Sequence, residues 1–133
     1  MSDAIKHECG IALLRLKKPL SFYKEKYGSA FYGIQKMYLL MEKQHNRGQD
    51  GAGLASIKLD VEPGERYISR IRSNQAQPIQ DIFAQVNQRI NEELALHPEY
   101  NDNVELQKKE IPYIGELFLG HVRYGTFGKN SIE

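Results

Sequence analysis

The sequence predicts a single α+β domain. Apolar runs of strand length alternate along the chain with two longer segments of helical periodicity, which indicates mixed secondary structure. A Pro-Gly turn signal between two of the short runs predicts a β-hairpin. A length of 133 residues corresponds to about one domain.

Four short runs predict β-strands. Residues 11–16 (Ile-Ala-Leu-Leu-Arg-Leu) form the first. Residues 54–59 and 66–72 flank the turn signal at 62–65, where Pro presets the first turn position and Gly accepts a positive φ, so these two runs predict the hairpin. Residues 117–122 predict the last strand, and a polar segment follows its C-terminal end.

Two segments predict α-helices. Residues 29–44 carry apolar side chains at helical spacing, and Ser29 is a candidate N-cap, although Gly33 costs up to about 1 kcal/mol relative to Ala. Residues 78–96 carry one long apolar stripe, open with Pro78 in the first turn and end before His97-Pro98. The stripe comprises Ile79, Ile82, Phe83, Val86, Ile90 and Leu94.

Two other segments lack such a pattern. Residues 20–27 are aromatic and charged, and we predict a loop there. Residues 101–110 are polar without a clear period, which predicts a surface segment of undefined structure.

The composition excludes several functional classes. The chain has 18 basic and 17 acidic side chains, so it lacks the basic excess of a nucleic-acid-binding surface. No run approaches the ~20 apolar residues of a membrane span, and the polar N-terminus does not resemble a secretory signal. A single cysteine favours a reducing, cytoplasmic setting. His97 and His121 lack partners at metal-ligand spacing, so no metal site is predicted.

Cys9 is that single cysteine, followed directly by Gly10-Ile11. It is either a small buried hydrophobe at a strand edge or a nucleophile that needs a base. The chain has four histidines, none in a recognisable cysteine-protease context. A free α-amino group on the cysteine itself, with a pKa of about 8, would also suit that base role, but eight residues precede Cys9.

Two glycine-flanked polar segments are the other candidates. In residues 46–53 (Asn-Arg-Gly-Gln-Asp-Gly-Ala-Gly), Arg47 and Asp50 are close enough to pair, and the alternative is a simple helix-to-strand connection. In residues 120–128 (Gly-His-Val-Arg-Tyr-Gly-Thr-Phe-Gly), Arg123 suits bidentate binding of a carboxylate, and the Thr126 hydroxyl could add a polar contact. The alternative there is a solvated arginine at a strand end.

Taken in order, Cys-Gly-Ile at 9–11, Arg-Gly-Gln-Asp-Gly-Ala-Gly at 47–53 and Gly-His-Val-Arg-Tyr-Gly-Thr at 120–126 resemble the glutaminase domain of class II glutamine amidotransferases. Within that class the Arg-Gly-Gln-Asp and His-Val-Arg-Tyr forms are most similar to the amidophosphoribosyltransferases. Glucosamine-6-phosphate synthases are similar too, but they tend to have Tyr before Asp and Trp after the arginine. Residues 75–112 match nothing in the family pattern.

The resemblance implies an N-terminal-nucleophile fold, a sandwich of two β-sheets between helical layers, present only in part and leaving an apolar surface. It implies that the Cys9 thiol attacks the side-chain amide of glutamine, with the cysteine's own α-amine moving the proton. Arg123 and Thr126 would bind the glutamine carboxylate. Supporting roles would fall to Arg47, Asp50 and Tyr124.

The resemblance also sets expectations about the whole protein. Residues 1–8 would be a propeptide, and residues 9–133 would be the first part of a glutaminase domain cut before its Asn-Gly oxyanion pair, so this segment by itself would be poorly active. A second domain would use the ammonia and phosphoribosyl pyrophosphate, with Mg²⁺, in the first step of purine biosynthesis, and the full-length protein would be a homo-oligomer. No cofactor is expected in this segment.

Three departures or alternatives remain open at this point. Asn46 stands where the family often has His, with His45 one position earlier. A masked Cys9 would fit a non-catalytic, regulatory relative of the same fold. An unrelated α/β binding domain with a structural cysteine would require three accidental motif matches.

Overall fold

A computed structural model describes residues 9–43 and 50–123. The α+β class is confirmed, because helices pack on an antiparallel sheet in these ranges. The strands are β1 (Cys9–Arg15), β2 (Gly51–Ile57), β3 (Ile68–Ser73) and β4 (Leu117–Arg123). The helices are α1 (Leu20–Tyr27), α2 (Tyr32–Lys43), α3 (Pro78–Leu96) and α4 (Val104–Glu110), with a 3-10 turn at Pro98–Tyr100.

The strand order is β1-β4-β2-β3, and every neighbouring pair is antiparallel. The predicted hairpin is confirmed as β2–β3. The last described strand, β4, lies between β1 and β2, so the two ends of the described chain pair with each other.

One face of the sheet is covered by α2 and α3. Along β4 the side chains alternate, so that Phe118 and Val122 are buried against the helices while Leu119 and Arg123 point to the other face. An apolar core fills the space between the sheet and the helices. Several of its largest side chains are fully buried: Phe118, Met37, Met41, Ile79, Ile82, Ile111, Ile114 and Val86.

Gly33 of α2 sets how closely that helix approaches the sheet. A Cβ at Gly33 would lie 2.3 Å from Cε2 of Phe118 and 3.3 Å from Cδ1 of Leu16. The Phe118 ring therefore fills the space that a side chain at Gly33 would occupy. This packing offsets the low helix propensity of Gly33.

We expect Gly33→Ala to destabilise the fold by about 1–3 kcal/mol, because an added methyl group overpacks the core. Helix propensity alone predicts the opposite sign, a gain of about 1 kcal/mol. Urea unfolding measures the difference, with Gln35→Ala on the exposed side of α2 as the control, which should change stability by less than about 0.5 kcal/mol. A more stable Gly33→Ala protein would contradict this role for Gly33.

The prediction of a loop at residues 20–27 is wrong, since this segment is α1. The helix begins after Pro19 and ends at Gly28, whose φ of 86° provides a left-handed C-cap. Tyr27 stacks on Tyr32 of α2 at 4.4 Å between ring centroids. Contacts with α2 thus stabilise a helix whose own apolar pattern is weak.

Other boundaries shift slightly. Helix α2 begins at Tyr32, later than predicted, and Ser29 instead accepts a hydrogen bond from the Phe31 backbone N–H (2.9 Å). Helix α3 has the predicted bounds. The polar segment at 101–110 contains α4, capped by Asn103, whose Oδ1 accepts from the Leu106 N–H (3.0 Å).

A buried polar cluster anchors α4 to the end of β2. Lys58 is only 6% exposed, and its Nζ donates to the carbonyl oxygens of Ile111 (2.7 Å) and Ile114 (2.6 Å). Burial lowers the pKa of Lys58 to about 8, against the opposing effect of Glu116. Glu116 itself pairs with Lys108 of α4 at 2.7 Å. Part of residues 101–110, which were predicted to be a surface segment of undefined structure, therefore belongs to the packed fold.

Candidate functional site

The three motif segments meet at one end of the sheet. β1 begins at Cys9, β2 begins at Gly51, and β4, between them, ends at Arg123. Because both pairings are antiparallel, the starts of β1 and β2 lie beside the end of β4. Cys9 pairs with Arg123 on one side and Gly51 pairs with Arg123 on the other.

This row of three residues spans a short distance. Neighbouring strands are about 4.8 Å apart, so the backbones of Cys9 and Gly51 are separated by about 10 Å with Arg123 between them. The Asp50 backbone N–H extends the pairing by donating to the Arg123 carbonyl oxygen at 2.8 Å. The pairing brings together residues that are more than 70 positions apart in sequence.

The predicted site residues differ in what the structure says of them. Arg123 has an exposed side chain, and Asp50 is half-buried directly before β2. For Cys9 the structure describes the backbone position alone. Arg47, Tyr124 and Thr126 lie outside the described residues, as do residues 1–8.

His121 is a site neighbour to which the sequence analysis assigned no role. It lies two residues before Arg123 on the same face of β4 and pairs with Gly53 of β2 and Ile11 of β1. A Cβ at Gly53 would lie 2.4 Å from His121 Nε2, so the glycine of one motif makes room for the histidine of another. Only the strand register reveals this contact.

The face of the sheet opposite the helices is open in the described residues. Its apolar part includes Ile11 and Leu13 of β1, which are 68% and 66% exposed, and Leu119 of β4, which is 45% exposed. Exposed apolar side chains that lie side by side on a sheet are typical of a surface that binds another layer or chain. We call this surface the open face.

Metal-binding clusters and membrane-spanning helices were sought among the described residues. Within them, no group of three or more His, Cys, Asp or Glu side chains is arranged to hold a metal ion. None of the helices in these ranges has the length and apolarity required to cross a membrane.

Taken together, the geometry offers an end of a sheet where a cysteine position, an exposed arginine and a glycine-rich strand start lie side by side. A cysteine and an arginine on paired strand ends are residue types suited to a substrate that carries both an electrophilic carbonyl and a carboxylate. Comparison with protein-family models, with curated proteins and with solved structures found no match to this chain.

Proposed function

We propose that this chain is the glutamine-hydrolysing part of a class II glutamine amidotransferase, of the amidophosphoribosyltransferase type. The observation that supports this proposal is the row Cys9–Arg123–Gly51, in which three motif segments that resemble the family lie on adjacent strands. An unrelated domain with a structural cysteine would not require these segments to meet.

In the proposed reaction the Cys9 sulfur attacks the side-chain carbonyl carbon of glutamine. The thiol proton passes through the Cys9 α-amine to the amide nitrogen, which leaves as ammonia, and an acyl thioester remains. Water then hydrolyses the thioester to glutamate and restores the thiol. Arg123, with Thr126, binds the α-carboxylate of glutamine and so orients the amide toward the sulfur.

The remaining motif residues support this arrangement. The resemblance assigns supporting roles in the reaction to Arg47, Asp50 and Tyr124. A second sheet stacked on the open face would complete the two-sheet sandwich of N-terminal-nucleophile enzymes, and the exposed Ile11, Leu13 and Leu119 offer an apolar surface for it.

The proposal extends to the longer protein of which this segment would be a part. A further domain would bind phosphoribosyl pyrophosphate with Mg²⁺ and use the ammonia to displace pyrophosphate, giving phosphoribosylamine. Those steps involve none of the residues described above.

The α-amine requirement provides the test, made on the full-length protein. Removal of residues 1–8, so that Cys9 becomes the first residue, should raise glutamine-dependent ammonia release at least about 100-fold, the usual size of a general-base contribution. Mass spectrometry identifies the N-terminal residue, and an ammonia assay measures the rate of ammonia release. Equal activity with residues 1–8 retained would contradict the amine's role.

A further inference from the structure

Residues 17–36, which include α1 and the start of α2, carry a local excess of positive charge. They contain five lysines and one acidic residue, although the whole chain has 18 basic and 17 acidic side chains. All five lysines are exposed, and none of them forms an ion pair with another described residue. They are Lys17, Lys18, Lys24, Lys26 and Lys36. A nearly neutral chain therefore has one strongly basic region.

Two of these lysines lie over aromatic rings of α1. Lys18 Nζ is 5.7 Å and Lys26 Nζ is 5.6 Å from the ring centroid of Phe22. Lys26 Nζ is also 5.6 Å from the centroid of the Tyr27 ring. An ammonium group at this distance is attracted to the face of the ring and keeps its charge. Charge and apolar ring surface are therefore presented together.

The row of rings continues from α1 onto α2. Tyr27 stacks on Tyr32 with 4.4 Å between their centroids, and Lys36 Nζ lies 5.9 Å from the Tyr32 centroid. Tyr27 is 50% exposed, so part of its ring reaches solvent. Cations and rings thus alternate along one surface, which we call the lysine–aromatic strip. The strip comprises Lys18, Phe22, Lys26, Tyr27, Tyr32 and Lys36.

The lysine–aromatic strip is remote from the surfaces that the proposed glutaminase uses. Helix α1 follows the end of β1 that is opposite Cys9, and it packs on α2 and α4. Helix α2 covers the face of the sheet opposite the open face, where Gly33 meets Phe118. A second sheet stacked on the open face therefore leaves the strip uncovered, and the strip takes no part in the proposed reaction.

The chemistry of the strip favours one class of anionic partner. Arginine, which binds carboxylates and phosphates bidentately, does not occur in residues 17–36. Bases of single-stranded nucleic acid stack on free aromatic faces, whereas Tyr27 and Tyr32 are stacked on each other. Apolar lysine stems beside aromatic rings are typical of residues at the headgroup level of a membrane, where both the charge and the ring are accommodated.

We propose that the lysine–aromatic strip binds the surface of a membrane that contains anionic lipids. The lysine ammonium groups contact the negative headgroups, and the rings of Phe22 and Tyr27 enter the interface between headgroups and acyl chains. The attachment is peripheral and largely electrostatic, so it weakens as the salt concentration rises.

Sedimentation of the full chain with vesicles of phosphatidylserine and phosphatidylcholine tests the proposal. We expect saturable binding that is at least about tenfold weaker with vesicles of phosphatidylcholine alone, because each lysine near an anionic surface contributes about fivefold. The double variant Lys18→Gln/Lys26→Gln should weaken binding to the mixed vesicles at least about tenfold. Both side chains are exposed, so the changes are not expected to unfold the protein.

Lys43→Gln/Arg66→Gln is the matched control, because it removes the same charge from two exposed side chains outside the strip. Lys43 ends α2, about 17 Å along the helix from Tyr32, and Arg66 precedes β3 at the sheet edge opposite β1. The control should change vesicle binding by less than about twofold. Equal weakening in the two double variants, or equal binding to both kinds of vesicle, would overturn the proposal.

An unstructured oligothymidylate is the second probe, since single-stranded nucleic acid is the other polyanion to which lysines and aromatic rings bind. We expect the chain to bind it more weakly than the mixed vesicles. Tighter binding to the oligonucleotide, lost in Lys18→Gln/Lys26→Gln, would assign the strip to nucleic acid and overturn the membrane proposal.

Discussion

Cys9→Ser in the full-length protein, with Cys9 exposed as the first residue, should lower kcat for glutamine hydrolysis at least about 10³-fold. A hydroxyl is a much weaker nucleophile than a thiol near neutral pH, and loss of the nucleophile abolishes the covalent route. Ammonia release from glutamine measures the effect. Cys9 is the only cysteine in these 133 residues, so no other thiol of this segment can substitute.

The control for this variant is the reaction driven by added ammonium, which bypasses glutamine and should remain within about twofold of the unmodified enzyme. Preserved ammonium-driven activity would show that Cys9→Ser has not unfolded the protein. Glutamine hydrolysis that survives Cys9→Ser would remove Cys9 from the mechanism.

Arg123→Leu should raise the KM for glutamine about 100-fold, because the proposed charged, bidentate contact with the substrate carboxylate would be lost. The ammonium-driven reaction does not use that carboxylate and should be unaffected. Steady-state kinetics with glutamine and with ammonium separate the two effects. Arg123 is exposed on β4, so the substitution removes little packing.

Arg15→Leu is the matched control for this change. Arg15 is exposed at the other end of β1, about 20 Å along the strand from Cys9, and lies on the same open face. It should leave the KM for glutamine within about twofold. A similar rise in both variants, or none in Arg123→Leu, would contradict a carboxylate-binding role for Arg123.

Local patterns predicted some elements well. Helix α3 was predicted with its observed bounds because a long apolar stripe, a proline in the first turn and His97-Pro98 at the end all agree. The β2–β3 hairpin was predicted because its turn chemistry is local, at Pro63-Gly64, and Gly64 has a φ of 89°.

Other elements depend on tertiary contacts, which the periodicity of the sequence does not reveal. Helix α1 has little apolar pattern of its own and is stabilised by stacking of its tyrosines on Tyr32. Gly33 reduces helix propensity and yet allows Phe118 to pack against α2. Lys58 would ordinarily be solvated, but two carbonyl oxygens from a distant segment accept its hydrogen bonds.

The candidate site, like the fold, could be predicted from the sequence only in part. The residue types at Cys9 and Arg123 indicated possible chemistry, and the family resemblance connected them, but pairing across more than 100 residues has no local signal. Strand register provides that connection, and it also reveals His121 above Gly53.

The identity of the nucleophile is tested most directly by covalent labelling of the full-length protein with a glutamine-analogue diazoketone, mapped by mass spectrometry. The proposed glutaminase predicts one adduct, on Cys9, formed when Cys9 is the first residue and prevented by excess glutamine. An unlabelled Cys9, or a label that excess glutamine does not reduce, would contradict the proposal.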